Sequence, residues 1–263
     1  MSIHQLSPMQ RVILLGASNV TLGFPMLVEG LRASLPGPVE LFAAHGHGRS
    51  YGLRSRVLMR RLPGILNCGL WDALPRASSD GGRPLALITD VGNDLLFGVR
   101  PELLLSWVEQ CVQRLGEQHA AVTIALPPLQ STLRLSAARY HATRMVFFPG
   151  SGPDWESMRR MIVELESGLR ELAAQYTCRA VEPRAEWYGF DPIHVRSRHR
   201  PASWSEILSA WPVTNGVRIA RRPAAQGLRY WRLAPAERDL WGRTRRNFQP
   251  AWRDGDAASI WLY

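Results

Sequence analysis

Arg11-Val12-Ile13-Leu14-Leu15-Gly16-Ala17-Ser18-Asn19 is the stretch that decides how the rest of the chain is read. Val12 to Leu15 form a short continuous apolar run, which predicts a strand buried on both faces. Gly16 turns the chain, and a helical pattern follows. Phe24, Leu27, Val28, Leu31 and Leu35 fall at spacings that share one helix face. A buried strand passing through a glycine into a helix puts Ser18 at the carboxyl edge of a sheet, where open α/β sheets place their chemistry. A hydroxyl there lies among the free backbone N–H groups of a helix N-terminus. On this stretch alone, helix capping is the commoner role for such a serine. Chemistry at Ser18 needs partners from elsewhere in the chain.

Outward from this stretch, strand and helix patterns alternate. Pro36-Gly37-Pro38 ends the first helix, and Val39–Ala44 reads as a second strand running into the loop His45-Gly46-His47-Gly48-Arg49-Ser50. A basic helix is expected near Leu53–Leu62, and a polar, glycine-bearing loop over Ser78–Arg83. Pro84–Thr89 is a third buried strand, ending in Asp90-Val91-Gly92-Asn93-Asp94. Pro101 can open the next helix, since a missing N–H costs nothing in the first turn. Ala121–Leu126 is a fourth strand. Asp154 can cap a long helix whose Met158, Ile162, Leu165, Leu169 and Leu172 keep helical spacing, and Cys178–Val181 is a fifth strand. Five strands separated by helices predict an α/β fold with a doubly wound parallel sheet. Pro127 to Pro153 is long for a connection between strand and helix. Carrying Arg134, Arg139, Tyr140, His141, Arg144, Phe147 and Phe148, it reads as a substrate rim or lid over the same sheet edge.

Composition narrows the function classes. With 263 residues, 46% of them hydrophobic, the chain can bury a substantial core as one large domain. No run reaches the roughly 18 apolar residues of a membrane span, and no leader pattern precedes Val12, so a cytoplasmic protein is expected. Cys68, Cys111 and Cys178 are odd in number and widely spaced; they read as buried, reduced thiols. The net charge of +10 raises the possibility of a nucleic-acid partner. However, every one of the Lys+Arg residues is an arginine, and the arginines are scattered through predicted helices. A nucleic-acid partner is therefore not expected. His45 and His47 have no carboxylate or cysteine clustered beside them, so neither a metal nor any other cofactor is expected.

A base for Ser18 stands in Asp191-Pro192-Ile193-His194, after the fifth strand. A carboxylate three residues before an imidazole can reach its Nδ1–H and fix the tautomer, leaving Nε2 free to take a serine proton. The plain alternative is a surface Asp and His in a loop.

Together, Gly-Ala-Ser-Asn after the first strand, a glycine loop after the second, Gly92-Asn93-Asp94 after the third and Asp191-x-x-His194 near the end resemble the SGNH (GDSL-type) hydrolase family. The four blocks stand in family order from about Arg11 to His194. The resemblance implies a flavodoxin-like three-layer α/β/α fold with a five-stranded parallel sheet, and a serine esterase acting through an acyl-enzyme. It implies Ser18 as nucleophile, His194 as general base and Asp191 as the carboxylate orienting it. The oxyanion donors would be the Ser18 amide, the Asn93 side chain and the amide of a second-block glycine, Gly48 in preference to Gly46. Ala17 and Asn19 depart from the family's usual aspartate and leucine beside the serine. After His194, the basic residues Arg196, Arg198, His199 and Arg200 read either as a site for an acidic substrate group or, the preferred reading, as a solvated loop, before Ser203-Trp204-Ser205-Glu206, which reads as a capping box.

The substrate implied is a small-molecule or carbohydrate ester. An acyltransferase on the same site, or a catalytically silent binding protein of the same fold, are the alternatives. The resemblance covers a hydrolase-like domain over residues 1–213. Residues 214–263 form an extension with ten arginines against four acids. Its Tyr230, Trp231, Trp241, Phe248, Trp252, Trp261 and Tyr263 are too many aromatics for a disordered tail. It is expected to pack on the same domain, with a short helix opening at Pro235-Ala236-Glu237 and a terminal strand over Ser259–Tyr263.

Overall fold

The computed structural model describes residues 8–57, 60–74, 82–147, 152–220 and 229–263. Residues 78–81 of the expected polar loop and Phe148 of the long connection lie outside them. In chain order the elements are β1 (Gln10–Leu15), α1 (Ser18–Ser34), β2 (Val39–Ala44), β3 (Ser55–Val57), β4 (Arg60–Leu62), α2 (Leu70–Ala73), β5 (Leu85–Ile88), α3 (Asn93–Leu96) and α4 (Pro101–Glu117). There follow β6 (Ala121–Ala125), α5 (Leu129–Leu133), α6 (Ala137–Phe147), α7 (Trp155–Gln175), β7 (Arg179–Val181), α8 (Arg200–Leu208), β8 (Glu237–Leu240), β9 (Arg243–Arg246), β10 (Trp252–Asp254) and β11 (Ala258–Leu262).

The central sheet runs β10-β11-β2-β1-β5-β6-β7. Its five strands β2-β1-β5-β6-β7 are parallel, in the order of a flavodoxin-like doubly wound sheet. Alternation along β1 divides the core. Ile13 and Leu15 face α4 and α7, while Val12 and Leu14 face α1 and α8. Each such fully buried aliphatic side chain contributes about 1.5–3 kcal/mol. Asp154 caps α7 as expected, accepting the Ser157 amide at 2.7 Å. Gly23 lets α8 close on α1, because a Cβ there would lie 2.3 Å from the Trp204 indole nitrogen.

Five strands are too few. The sheet has seven, because β11 pairs in parallel with the far edge of β2 and β10 runs antiparallel beside β11. Trp261 stacks on Phe42 with ring centroids 5.4 Å apart, and Arg32 pairs with Asp254. The aromatics of the extension divide. Tyr230 and Tyr263 are buried, whereas Trp231, Trp241 and Phe248 stand exposed.

Three local expectations fail. Leu53–Leu62 is not a helix; β3 and β4 pair antiparallel there. Pro235-Ala236-Glu237 leads into β8, which completes a four-stranded sheet β3-β4-β8-β9. Ser203 to Glu206 lie inside α8, which opens earlier at Arg200 with Pro201 in its first turn. The long connection after β6 folds into α5 and α6.

Candidate active site

Gly16 carries the chain out of β1 through a space no side chain could share, since a Cβ there would meet Val20 at 2.6 Å and Thr89 at 2.8 Å. At the end of β5, Asp90 adopts a left-handed backbone, φ 60°. Its carboxylate accepts the Ala17 amide at 2.8 Å, the Asn19 amide at 3.0 Å and the Asn19 side-chain amide at 2.7 Å. One carboxylate thus accepts the donors on either side of the Ser18 amide at the opening of α1. Ser18 itself caps nothing; its hydroxyl turns instead to an imidazole.

That imidazole belongs to His194, whose Nε2 lies 2.8 Å from Ser18 Oγ. On its other side, Nδ1 lies 2.5 Å from Asp191 Oδ2, while Asp191 Oδ1 accepts the Ile193 and His194 amides at 3.0 and 3.1 Å. Burial works to raise the pKa of Asp191. The hydrogen bonds from His194 and from those amides outweigh it and hold the carboxyl below its ordinary range. An ionised carboxylate can only accept, so His194 carries its proton on Nδ1 and offers the Nε2 lone pair to Ser18.

Asn19 joins the two halves of this arrangement. Its Nδ2 donates to the Ile193 carbonyl at 2.8 Å and its Oδ1 accepts the Val195 amide at 2.9 Å. Asn19 therefore grips the chain on both sides of His194. Asp90 and Asn19 were legible only as members of their motifs; neither role shows in sequence spacing.

Asn93 opens α3 at the same sheet edge. It is buried, and its side-chain Nδ2 has no hydrogen-bond partner among the described residues. Gly48 has φ 59° in a turn closed by the Arg49 amide donating to the Gly46 carbonyl at 3.1 Å. Gly46 is a glycine for a different reason, since a Cβ there would lie 2.4 Å from Leu62 Cδ1. The fully buried Arg49 fixes this loop by donating to the carbonyls of His45, Pro63 and Tyr263. Ser50 and the Tyr51 amide both donate to Asp94.

An apolar pocket opens beside Asn93, Asn19 and Ile193, walled by Leu96, Met158 and Ile162. Tyr140 and Arg144 of α6 line it, so part of the long connection does border this edge. Arg139 of α6 also donates to the Gly189 and Phe190 carbonyls, just before Asp191. His45 Nδ1 lies 2.9 Å from the Thr21 hydroxyl, and burial first, then Arg49 and Arg60, drive its pKa down to about 3. No group of three metal-ligating side chains occurs among the described residues. Cys68 and Cys111 are buried free thiols, and Cys178 is half-buried.

No protein-family model and no curated protein matches this chain. Among solved structures it is similar to the psychrotrophic esterase EstA from Pseudoalteromonas sp., at 14% identity and a TM-score of 0.44 over 74% of this chain and 93% of that one. It is also similar to TesA, at 17% identity and 0.45 over 76% and 97% of the two chains. A lipolytic protein of the G-D-S-L family from Veillonella parvula matches at 14% identity and 0.45, over 73% and 92%.

Proposed function

We propose that the protein is a serine ester hydrolase of the SGNH type, with Ser18, His194 and Asp191 as its triad. The observation that carries this reading is the hydrogen-bonded chain from Asp191 through His194 to Ser18, set beside the buried, unpartnered amide of Asn93. A buried donor without a partner costs about 1–3 kcal/mol, and such a group at a sheet edge is suited to an oxyanion that arrives with the reaction.

In this reading, Ser18 Oγ attacks the ester carbonyl while His194 Nε2 takes its proton and Asp191 stabilises the imidazolium. The Ser18 and Gly48 amides and the Asn93 side chain receive the negative charge of the tetrahedral intermediate. His194 then protonates the leaving alcohol. Water, deprotonated by the same imidazole, releases the acid from the acyl-enzyme. The apolar pocket beside Asn93 suits a hydrocarbon portion of the ester.

A fluorophosphonate probe tests this directly. Stoichiometric labelling of Ser18, lost in Ser18→Ala and in His194→Ala, is the expected result. An unlabelled, folded wild-type protein would overturn the triad.

A further inference from the structure

The four-stranded sheet β3-β4-β8-β9 has two faces of different charge. Register places Arg61 opposite Asp239 and Glu237 opposite Arg246 on one face, where Arg54 also pairs with Glu237 and Asp239. The other face carries Arg60, opposite Leu240, with Arg238 opposite Arg245 and Leu240 opposite Arg243. No acid of these strands stands on it. Among the described residues none of these four arginines has a carboxylate partner. The Nε of Arg238 is buried without a hydrogen-bond partner among the described residues.

This cationic face is turned toward the loop after β2. Leu62, beside Arg60 on the same strand face, is buried against Gly46, and an Arg60 Nη lies 3.4 Å from where a Gly46 Cβ would stand. Arg60 also lines a pocket with His45, Gly46, Tyr230 and Thr21, the last lying one turn of α1 beyond Ser18. In the strand order, β1 separates this pocket from the apolar one at the β5–β6 side. Ser18 stands between them.

A half-buried guanidinium with a second arginine beside it and no acid is costly to hold. Burial and the charge of Arg238 both press the Arg60 guanidinium toward its neutral form, and Arg60 and His194 add to burial in lowering His47. Such an arrangement is relieved when an anion binds, and the planar fork of arginine suits two oxygens of one group.

We propose that Arg60 and Arg238 form a subsite for an anionic group of the ester substrate, a carboxylate, sulfate or phosphate, on the side of Ser18 away from the apolar pocket. This inference rests on the hydrolase reading above. The substrate would then be an amphipathic ester, apolar on one side of the scissile bond and anionic on the other.

Three aryl esters test it: 4-nitrophenyl butyrate, the 4-nitrophenyl hemiester of glutarate, and a butyrate ester whose phenol ring carries a carboxylate. They distinguish an anion on the acyl side from one on the alcohol side. For one anionic ester, kcat/KM relative to the neutral ester should fall about tenfold or more in Arg60→Gln and in Arg238→Gln. Arg61→Gln removes the same charge from the opposite face and should keep the wild-type ratio.

Titration of Ser18→Ala protein with inorganic phosphate provides a readout independent of turnover; binding should weaken with Arg60→Gln and persist with Arg60→Lys. Ratios unmoved in both glutamine variants, or phosphate binding indifferent to Arg60, would overturn the subsite. Phosphate binding that depends on Arg60, with no ester turned over, would support the subsite and overturn the hydrolase reading.

Discussion

Ser50 donates its hydroxyl proton to the Asp94 carboxylate, and this bond ties the loop after β2 to the loop after β5. The Tyr51 amide donates to the other Asp94 oxygen at 3.1 Å, and Ser50 Oγ accepts the Leu53 amide at 2.7 Å. Gly48 precedes Ser50 by two residues and Asn93 precedes Asp94 by one. Two of the proposed oxyanion donors therefore hang from a single buried anchor.

Asp94 gives the fold a pH-dependent component. Burial raises its pKa from 3.8 to about 7, against the opposing hydrogen bonds of Ser50 and Tyr51. Over that window the folded protein keeps a proton that the unfolded chain has released. Stability from this group is greatest in acid and falls as pH rises, by up to about 1.4 kcal/mol per pH unit. Asp94→Asn cannot ionise and lacks this component. Urea unfolding of both proteins at pH 5 and pH 8 measures it. The wild type should lose stability relative to the variant at the higher pH, and parallel changes would refute the assignment.

Ser18 and His194 should behave as one unit. Ser18→Ala and His194→Ala are each expected to cost roughly 10³-fold or more in kcat on a short aryl ester. The double variant should be scarcely slower than either single one. Multiplying losses would show that the two side chains act independently.

If Asn93 is an oxyanion donor as proposed, Asn93→Ala should lower kcat by about 10²–10³ with much less effect on KM, because such a donor acts on charge that develops in the transition state. The folded protein should tolerate the change, since Nδ2 has no partner to abandon among the described residues. Unchanged kcat would make Asn93 a turn residue only.

Asn19→Leu keeps a side chain of similar size and removes the grip on Ile193 and Val195. The Val195 amide and one Asp90 oxygen lose a partner, at a cost of about 1–3 kcal/mol in stability. His194 would drift from Ser18, and a displacement near 1 Å can cost about 100-fold in rate. Steady-state kinetics should show the loss in kcat with KM little changed. A variant with wild-type kcat and lowered stability would leave Asn19 a purely structural link.

What the sequence disclosed follows physical lines. β1, β2, β5 and β6 were legible because strands buried on both faces are predominantly apolar, broken only by Gln10 and Arg11 at the start of β1, Glu40 in β2 and Thr123 in β6, and α4 and α7 because each buries one regular stripe. The second sheet was hidden. β3 and β4 are short, rich in arginine and paired with β8, so no local period marks them; Arg54, Arg56, Arg60 and Arg61 suit a solvated helix equally well. The turn between β8 and β9 did carry a signal. Trp241 and Gly242 have φ of 53° and 77°, the left-handed pair of a two-residue hairpin, and glycine in the second place favours it. Ser18, Asp191 and His194 were found by motif, and their distances could come only from the fold. Asp90 needed three dimensions, since its partners open a helix more than seventy residues away.

The extension also sets the geometry of the loop after β2. β11 forms a parallel ladder with β2, and the Tyr263 amide donates to the Ala43 carbonyl at 2.9 Å. The Tyr263 carbonyl in turn accepts from Arg49, whose guanidinium is fully buried next to Gly48. Removing residues 248–263 takes away β10 and β11, uncovers Phe42 beneath Trp261 and leaves a buried guanidinium without one of its acceptors. Losing an acceptor for a buried charge costs about 1.5–3 kcal/mol before the lost apolar burial is counted. The truncated protein should melt several degrees lower and expose apolar surface to a hydrophobic dye. Arg49→Met in the full chain separates the two effects, because it keeps β11 and removes the guanidinium that holds the His45, Pro63 and Tyr263 carbonyls together. It should retain most of the melting temperature yet lower kcat, as the Gly48 amide loses its fixed direction. Full activity in Arg49→Met would show that β11 stabilises the sheet edge without positioning the oxyanion loop.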